Sequence, residues 1–148
     1  MIRIGLIGCG MWGRNLARNL AALGVLASVA DWYPDRAGDF AGEFGTSHVP
    51  VDELLAGHDL DGAVIASAAP THAELACRAL ECGLHAYVEK PFALTLAEAD
   101  RMATAAAKAG RQLMVGHLIR FNEAFRELES QIKAGVIGDV RHVTANRL

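Results

Sequence analysis

The sequence predicts a doubly wound α/β fold, a parallel sheet with helices on both faces. Three observations lead there. Short apolar runs alternate with longer stretches of helical periodicity. The runs IGLI (4–7) and AVIA (63–66) are continuously apolar, as befits strands buried on both faces. A glycine-rich turn joins the first run directly to the first helix.

Arg3 to Ile7 reads as the first strand. A helix follows from about Met11 to Leu23, with Trp12, Leu16, Leu20 and Leu23 on one face, Arg14 and Arg18 on the other, and Gly24 as its stop. Val25 to Ala30 is the second strand, and Asp35 to Phe44 is a helix ending at Gly45. Ser47 to Val49 is extended, and Val51 to Ala56 is a short helix after Pro50. Ala63 to Ala66 is the next strand. Pro70 opens a helix that runs to Cys82 and stops at Gly83. His85 to Val88 is a strand. Thr95-Leu-Ala-Glu98 has the spacing of a capping box and starts an alanine-rich helix ending at Gly110. Gln112 to Val115 is the sixth strand, and Phe121 to Ala134 is a helix with Phe121, Phe125, Leu128 and Ile132 on one face.

Composition narrows the function classes. The 148 residues carry a net charge of −3, 52% hydrophobic residues and a mean hydropathy of +0.21, enough for a core and no reason to expect nucleic acid. Lys and Arg are scattered, without a basic run. The uncharged stretches 19–30 and 62–73 span twelve residues each, too few for a membrane helix. No signal peptide is evident, so the expectation is a cytoplasmic protein without membrane partners. Cys9, Cys77 and Cys82 form no CxxC pair and read as small apolar fillers, and the six histidines show no paired ligand spacing, so no metal is expected.

The chemistry concentrates in GLIGCGMWGRN (5–15), where Gly8, Gly10 and Gly13 form G-x-G-x-x-G between a strand and a helix. In that setting Gly8 permits a tight turn, Gly10 lets backbone approach a pyrophosphate, and Gly13 lets helix and strand pack closely. The N–H groups near Met11 and Trp12 face the anion. Asp31 ends the second strand, where an acid hydrogen-bonds the adenosine ribose and repels a 2′-phosphate. This favours NAD as the cofactor, with NADP second. The plainer readings are a ligand-free turn for the glycines and a turn residue before Pro34 for Asp31. Arg36 can serve a phosphate, but on the following helix it reads first as a solvated surface charge.

The stretches SAAPTHAELACRALECGLHAYVEKPFALT (67–95) and VGHLIRFNEAF (115–125), together with GLIGCGMWGRN, resemble the Gfo/Idh/MocA family of NAD(P)-dependent sugar and cyclitol oxidoreductases. Glu89-Lys90-Pro91 is the most specific element. The resemblance implies a Rossmann domain over 1–120, then a connecting helix and the first strand (Arg141 to Leu148) of an incomplete C-terminal substrate and dimerisation domain over 121–148. It implies Lys90 as the catalytic residue, a cis peptide before Pro91, and a cofactor site that includes Ser67, Pro70, His72, Glu89 and Lys90. His117 and Arg120 face the substrate.

The residues themselves support part of this. Lys90 lies at the carboxyl end of a parallel strand, where open α/β sheets hold ligands, and its ammonium suits a hydroxyl that is losing a proton. Alternatives stay open: a solvated Lys90, a capping or surface His72, a core-edge His117, a salt-bridged Arg120.

The combination of GMWGRNLARN with the segment from Val115 onward looks most like the branch oxidising nucleotide-activated sugars. The resemblance puts the catalytic His and its neighbouring Asp beyond Leu148, so the chain is expected to be inactive alone. An orphan last strand exposes unpaired backbone and an apolar face, which invites pairing with another chain, hence the expectation of a homo-oligomer. The competing reading is a non-catalytic NAD(P)-binding module or sensor.

Overall fold

The computed structural model describes residues 1–57 and 59–146. It divides into two compact units, Met1–Gly116 and His117–Leu148. The first unit contains strands β1 (Ile4–Ile7), β2 (Leu26–Ala30), β3 (Ser47–His48), β4 (Gly62–Ile65), β5 (His85–Val88) and β6 (Leu113–Val115), interleaved with helices α1 (Met11–Ala22), α2 (Pro34–Phe44), α3 (Val51–Ala56), α4 (His72–Glu81) and α5 (Leu96–Ala109). The six strands form one sheet in the order β3-β2-β1-β4-β5-β6, and every neighbouring pair is parallel. The order reverses between β1 and β4, which opens a crevice at the carboxyl ends of those strands.

Why both faces are covered follows from the strand sequences. Leu6 stands opposite Val29 and Val64, and Ile7 opposite Ala30 and Ile65. Successive side chains point to opposite faces. Leu6, Val29 and Val64 therefore pack with Ala17 and Phe40 from α1 and α2, while Ile7, Ala30, Ile65 and Val88 pack with Leu54, Leu75 and Met102 from α3, α4 and α5. Each fully buried Leu or Ile contributes about 1.5–3 kcal/mol relative to exposure. The sheet edges are short: β3 has two residues and β6 three. Brief edges offer little template for stray pairing.

The helix ends behave locally as the sequence suggests, with instructive differences. Gly45 and Gly110 cap α2 and α5 in the left-handed conformation. The capping box forms, with Thr95 Oγ1 accepting from the Glu98 N–H at 3.2 Å and Glu98 Oε2 accepting from the Thr95 N–H at 3.1 Å. Thr95→Ala should lower stability by about 1 kcal/mol in urea titration. Pro70 does not begin α4. The Thr71 hydroxyl and N–H both donate to the Ala68 carbonyl, at 2.7 and 2.9 Å, which tightens Ala69–Thr71 into a 3₁₀ turn, and α4 starts at His72.

The second unit carries a 3₁₀ turn at Leu118–Phe121 and helix α6 (Glu123–Lys133). The helix starts after Asn122, not at Phe121, because the Asn122 carboxamide accepts from the Phe125 N–H at 3.3 Å and caps it. The strand predicted over Arg141 to Leu148 is not found across Arg141–Asn146. A strand exists only with a hydrogen-bonded neighbour, and among the described residues this unit has none to offer. Arg147 and Leu148 lie outside the described residues.

Candidate functional site

A groove of about 310 Å³ runs across the carboxyl ends of β1, β2 and β4, lined by Gly8, Gly10, Met11, Trp12, Asp31, Trp32, Tyr33, Arg36, Ala66, Ser67 and Ala68. The three glycines of the loop are required for three different steric reasons. Gly8 turns the chain at φ +106°, and a Cβ there would lie 2.5 Å from the Ala66 carbonyl carbon. A Cβ on Gly13 would lie 1.9 Å from the Gly8 carbonyl oxygen, so α1 approaches β1 only without one. A Cβ on Gly10 would meet nothing within 4 Å and would project into open space instead.

Helix α1 begins at Met11 with Gly10 as its N-cap, and no side chain caps it. Its first N–H groups and the positive end of its dipole are thus left for an anion.

Asp31 lines the groove and is hydrogen-bonded through both of its oxygens. Its Oδ2 accepts from the Cys9 N–H at 2.7 Å and its Oδ1 from the Tyr33 N–H at 3.0 Å. The side chain is only 7% exposed and Arg36 Nη1 stands 3.7 Å from Oδ1. These bonds tie the glycine loop to the end of β2 and fix the carboxylate against the groove. The turn reading of Asp31 therefore holds for one of its oxygens. Arg36 is not simply a solvated charge, since its guanidinium stacks over the Tyr33 ring at 4.7 Å and borders the groove. Burial, with the Asp31 charge adding to it, pushes the Cys9 thiol up to about 12. The cysteine inside the glycine loop stays a neutral packing group.

The second part of the site lies at the ends of β4 and β5. The Ser67 and Thr71 hydroxyls are hydrogen-bonded at 2.7 Å, and Pro70 is exposed in the turn between them. His72 is buried at 1% exposure, so the surface reading is excluded, and the N-cap of α4 is Thr71. Its Nδ1 lies 2.8 Å from the Pro91 carbonyl oxygen and its Nε2 3.0 Å from that of Ser67. Glu89 is also buried, at 4% exposure, and faces Tyr87. Lys90 is exposed, the Lys90–Pro91 peptide is cis, and the Lys90 ammonium lies 5.9 Å from the centre of the Trp12 ring. The end of β5 and the glycine loop thus meet over the same groove.

Gly8, Gly10, Met11, Trp12, Asp31 and Ser67 line this groove, Lys90 reaches the Trp12 ring at its side, and Gly13 and Pro70 are not among the lining residues. His72 and Glu89 are buried and do not line the groove. His117 and Arg120 belong to the second unit. There Arg120 borders an apolar surface with Phe125, Leu128, Ile132 and Val143, and its carbonyl accepts from Arg126 Nε at 3.3 Å.

Sequence reading overlooked Tyr87. It precedes Glu89, the first residue beyond β5, by two residues, and continued extended spacing would put both side chains on one face, which was the available signal. Burial, together with its hydrogen bond to Glu89 and that carboxylate's charge, raises the Tyr87 pKa above the ordinary phenol value.

The comparisons agree with this geometry. The chain is 36% identical over 148 residues to UDP-N-acetylglucosamine 3-dehydrogenase of Acidithiobacillus ferrooxidans, covering 99% of this chain and 45% of that protein. Scyllo-inositol dehydrogenase of Lactobacillus casei, solved with bound NAD(H) and scyllo-inositol, superposes with a TM-score of 0.87 at 26% identity, covering 94% of this chain and 43% of that one. A 3-ketoreductase mutant from Actinomadura kijaniata, solved with TDP-benzene and NADP, superposes with a TM-score of 0.86 at 29% identity, covering 95% of this chain and 46% of that one. The chain spans less than half the length of the curated relatives it matches. The model of the Gfo/Idh/MocA oxidoreductase family, NAD-binding Rossmann fold, matches residues 2–117, and the chain belongs to that family.

Proposed function

We propose that the chain is the cofactor-binding part of an NAD-dependent oxidoreductase that moves hydride between nicotinamide and a hydroxyl-bearing carbon of a sugar or nucleotide sugar. The observation that carries this reading is the meeting of Lys90 with Trp12 of the glycine loop, at the same sheet ends that hold Asp31.

The residues fit the cofactor. Gly10 leaves room where a Cβ would project, and the uncapped start of α1 presents Met11, Trp12 and Gly13 N–H groups to a pyrophosphate. A carboxylate offers about four lone-pair sites. Two on Asp31 are taken by backbone N–H groups, leaving the others for ribose hydroxyls. Its charge repels a 2′-phosphate, which supports NAD over NADP, with the nearby Arg36 softening the preference. Ser67 and Pro70 border the nicotinamide half. Asp31→Ala should weaken NAD at least about tenfold and narrow its advantage over NADP, as read by calorimetry.

NAD, when bound, supplies the hydride acceptor. The Lys90 ammonium donates a hydrogen bond to the reacting hydroxyl and stabilises its oxygen while a general base of the substrate domain takes the proton. His117 and Arg120 of the second unit are assigned to the substrate, Arg120 as a clamp for a hydroxyl or carboxylate. Residues 1–120 form the cofactor domain in this reading, and α6 leads toward a substrate domain. The narrower assignment to nucleotide sugars rests on the likeness to the Acidithiobacillus enzyme, with cyclitols as the competing class.

A graft of residues 1–117 onto the remainder of that UDP-N-acetylglucosamine 3-dehydrogenase tests the reading. Substrate-dependent reduction of NAD is expected. A folded graft that binds NAD and transfers no hydride would favour a non-catalytic module.

A further inference from the structure

The buried Glu89 carboxylate has no part in the chemistry above, although a buried acid needs a reason to be there. Its two oxygens are both engaged. Oε1 accepts from the Tyr87 hydroxyl at 2.8 Å, and Oε2 accepts from the Lys90 backbone N–H at 3.1 Å. Room for this arrangement comes from Gly116, the residue that follows β6. A Cβ on Gly116 would lie 2.6 Å from the Tyr87 hydroxyl oxygen and 2.7 Å from Glu89 Oε1. The Gly116 N–H donates to the Val88 carbonyl at 2.9 Å, which holds the two strand ends together. On the other side of the turn, His72 lies 2.8 Å from the Pro91 carbonyl oxygen and 3.0 Å from that of Ser67.

We propose that Tyr87, Glu89, Gly116 and His72 form a two-sided bracket that fixes the Lys90-Pro91 turn, and that they are positioning residues for the Lys90 ammonium. The Glu89 carboxylate holds the turn by the Lys90 N–H, and His72 holds it by the Pro91 carbonyl. Between these two anchors the backbone of Lys90 cannot slide along the strand end, so its side chain leaves from a fixed point toward Trp12 and the groove. His72 carries the same constraint to the Ser67 loop. Burial keeps water from competing for the Glu89 oxygens, and an apolar residue at 89 would leave the Lys90 N–H without its partner.

This inference rests on the reading of Lys90 as a residue at the cofactor. Reductive methylation with ¹³C-formaldehyde reports on the two separately, because the chain has only three lysines, Lys90, Lys108 and Lys133, and methylation keeps their charge. Loss of a signal in Lys90→Arg assigns the Lys90 methyl resonance. In the unsubstituted chain that resonance should stand apart from the other two and move when NAD is added.

In Tyr87→Phe and in Gly116→Ala it should collapse toward those of Lys108 and Lys133 and lose most of its response to NAD. NAD affinity should fall by less than about threefold, since Asp31 and the glycine loop are untouched. Tyr87→Phe keeps the ring and removes only the hydroxyl, so it decides the question if Gly116→Ala does not fold. Glu89→Gln, which retains an acceptor oxygen, should recover part of the response that Glu89→Ala loses. Folded variants with an unchanged Lys90 resonance and an unchanged NAD response would overturn the bracket and leave the Lys90 reading standing. A Lys90 resonance indifferent to NAD in the unsubstituted chain would overturn both.

Discussion

Lys90→Ala, placed in the graft that carries the substrate part of the Acidithiobacillus enzyme, should lower kcat roughly a hundredfold or more while changing NAD affinity by less than about threefold. The split follows from where the side chain stands. In the proposed mode the cofactor's adenosine and pyrophosphate lie on Asp31 and the backbone N–H groups at the start of α1, whereas the Lys90 ammonium, which there approaches only the Trp12 ring, is assigned to the reacting hydroxyl. A group that donates to an oxygen gaining negative charge matters more in the transition state than in the bound ground state. Lys90→Arg should recover little, because the planar guanidinium cannot place a single donor where the ammonium does. Steady-state rates with saturating NAD and UDP-N-acetylglucosamine, beside calorimetric NAD titration, read the two effects separately. Unchanged turnover in Lys90→Ala would remove the lysine from the mechanism.

Gly13→Val should be the most damaging substitution in the glycine loop. A Cβ at Gly13 would sit 1.9 Å from the Gly8 carbonyl oxygen, and that oxygen belongs to backbone that cannot rotate aside. Gly8 is itself pinned, its N–H donating to the Ala30 carbonyl at 2.9 Å. Relief requires moving α1 off β1, which opens the packing of Ala17 and Phe40 against Leu6. Destabilisation of more than about 3 kcal/mol is expected in urea titration, with NAD binding lost in any fraction that remains folded. Gly10→Ala is the informative contrast. Its Cβ meets no protein atom, so stability should hold within about 1 kcal/mol while NAD affinity falls, because the methyl occupies ligand space. Equal stability losses at the two positions would contradict the distinct roles assigned to them.

Much of this molecule was legible in the chain because its signals are local. The glycine spacing states a steric requirement that the Gly8–Gly13 contact meets directly, and the Thr95–Glu98 box needs only its own four residues. Continuous apolar runs such as IGLI disclosed burial on both faces, and the Leu6 and Ile7 packing realises it. What escaped was of longer range. His72 looked like a surface or capping residue because its two partners are carbonyls, which no side-chain pattern announces, and one of them lies 19 residues away. Arg36 is exposed, as its helical position reads, and what the pattern did not show is that its guanidinium lies over the Tyr33 ring at the groove. The segment from Arg141 has the alternation of a strand, yet alternation supplies a face and not a partner, and a strand requires the partner.

Calorimetric titration of the chain with NAD and with NADP tests the central claim most directly. One NAD should bind per chain, and NADP should bind at least about tenfold more weakly, because in the proposed site the Asp31 carboxylate, held by the Cys9 and Tyr33 N–H groups, repels a 2′-phosphate. No heat with either nucleotide, or tighter binding of NADP, would contradict the account.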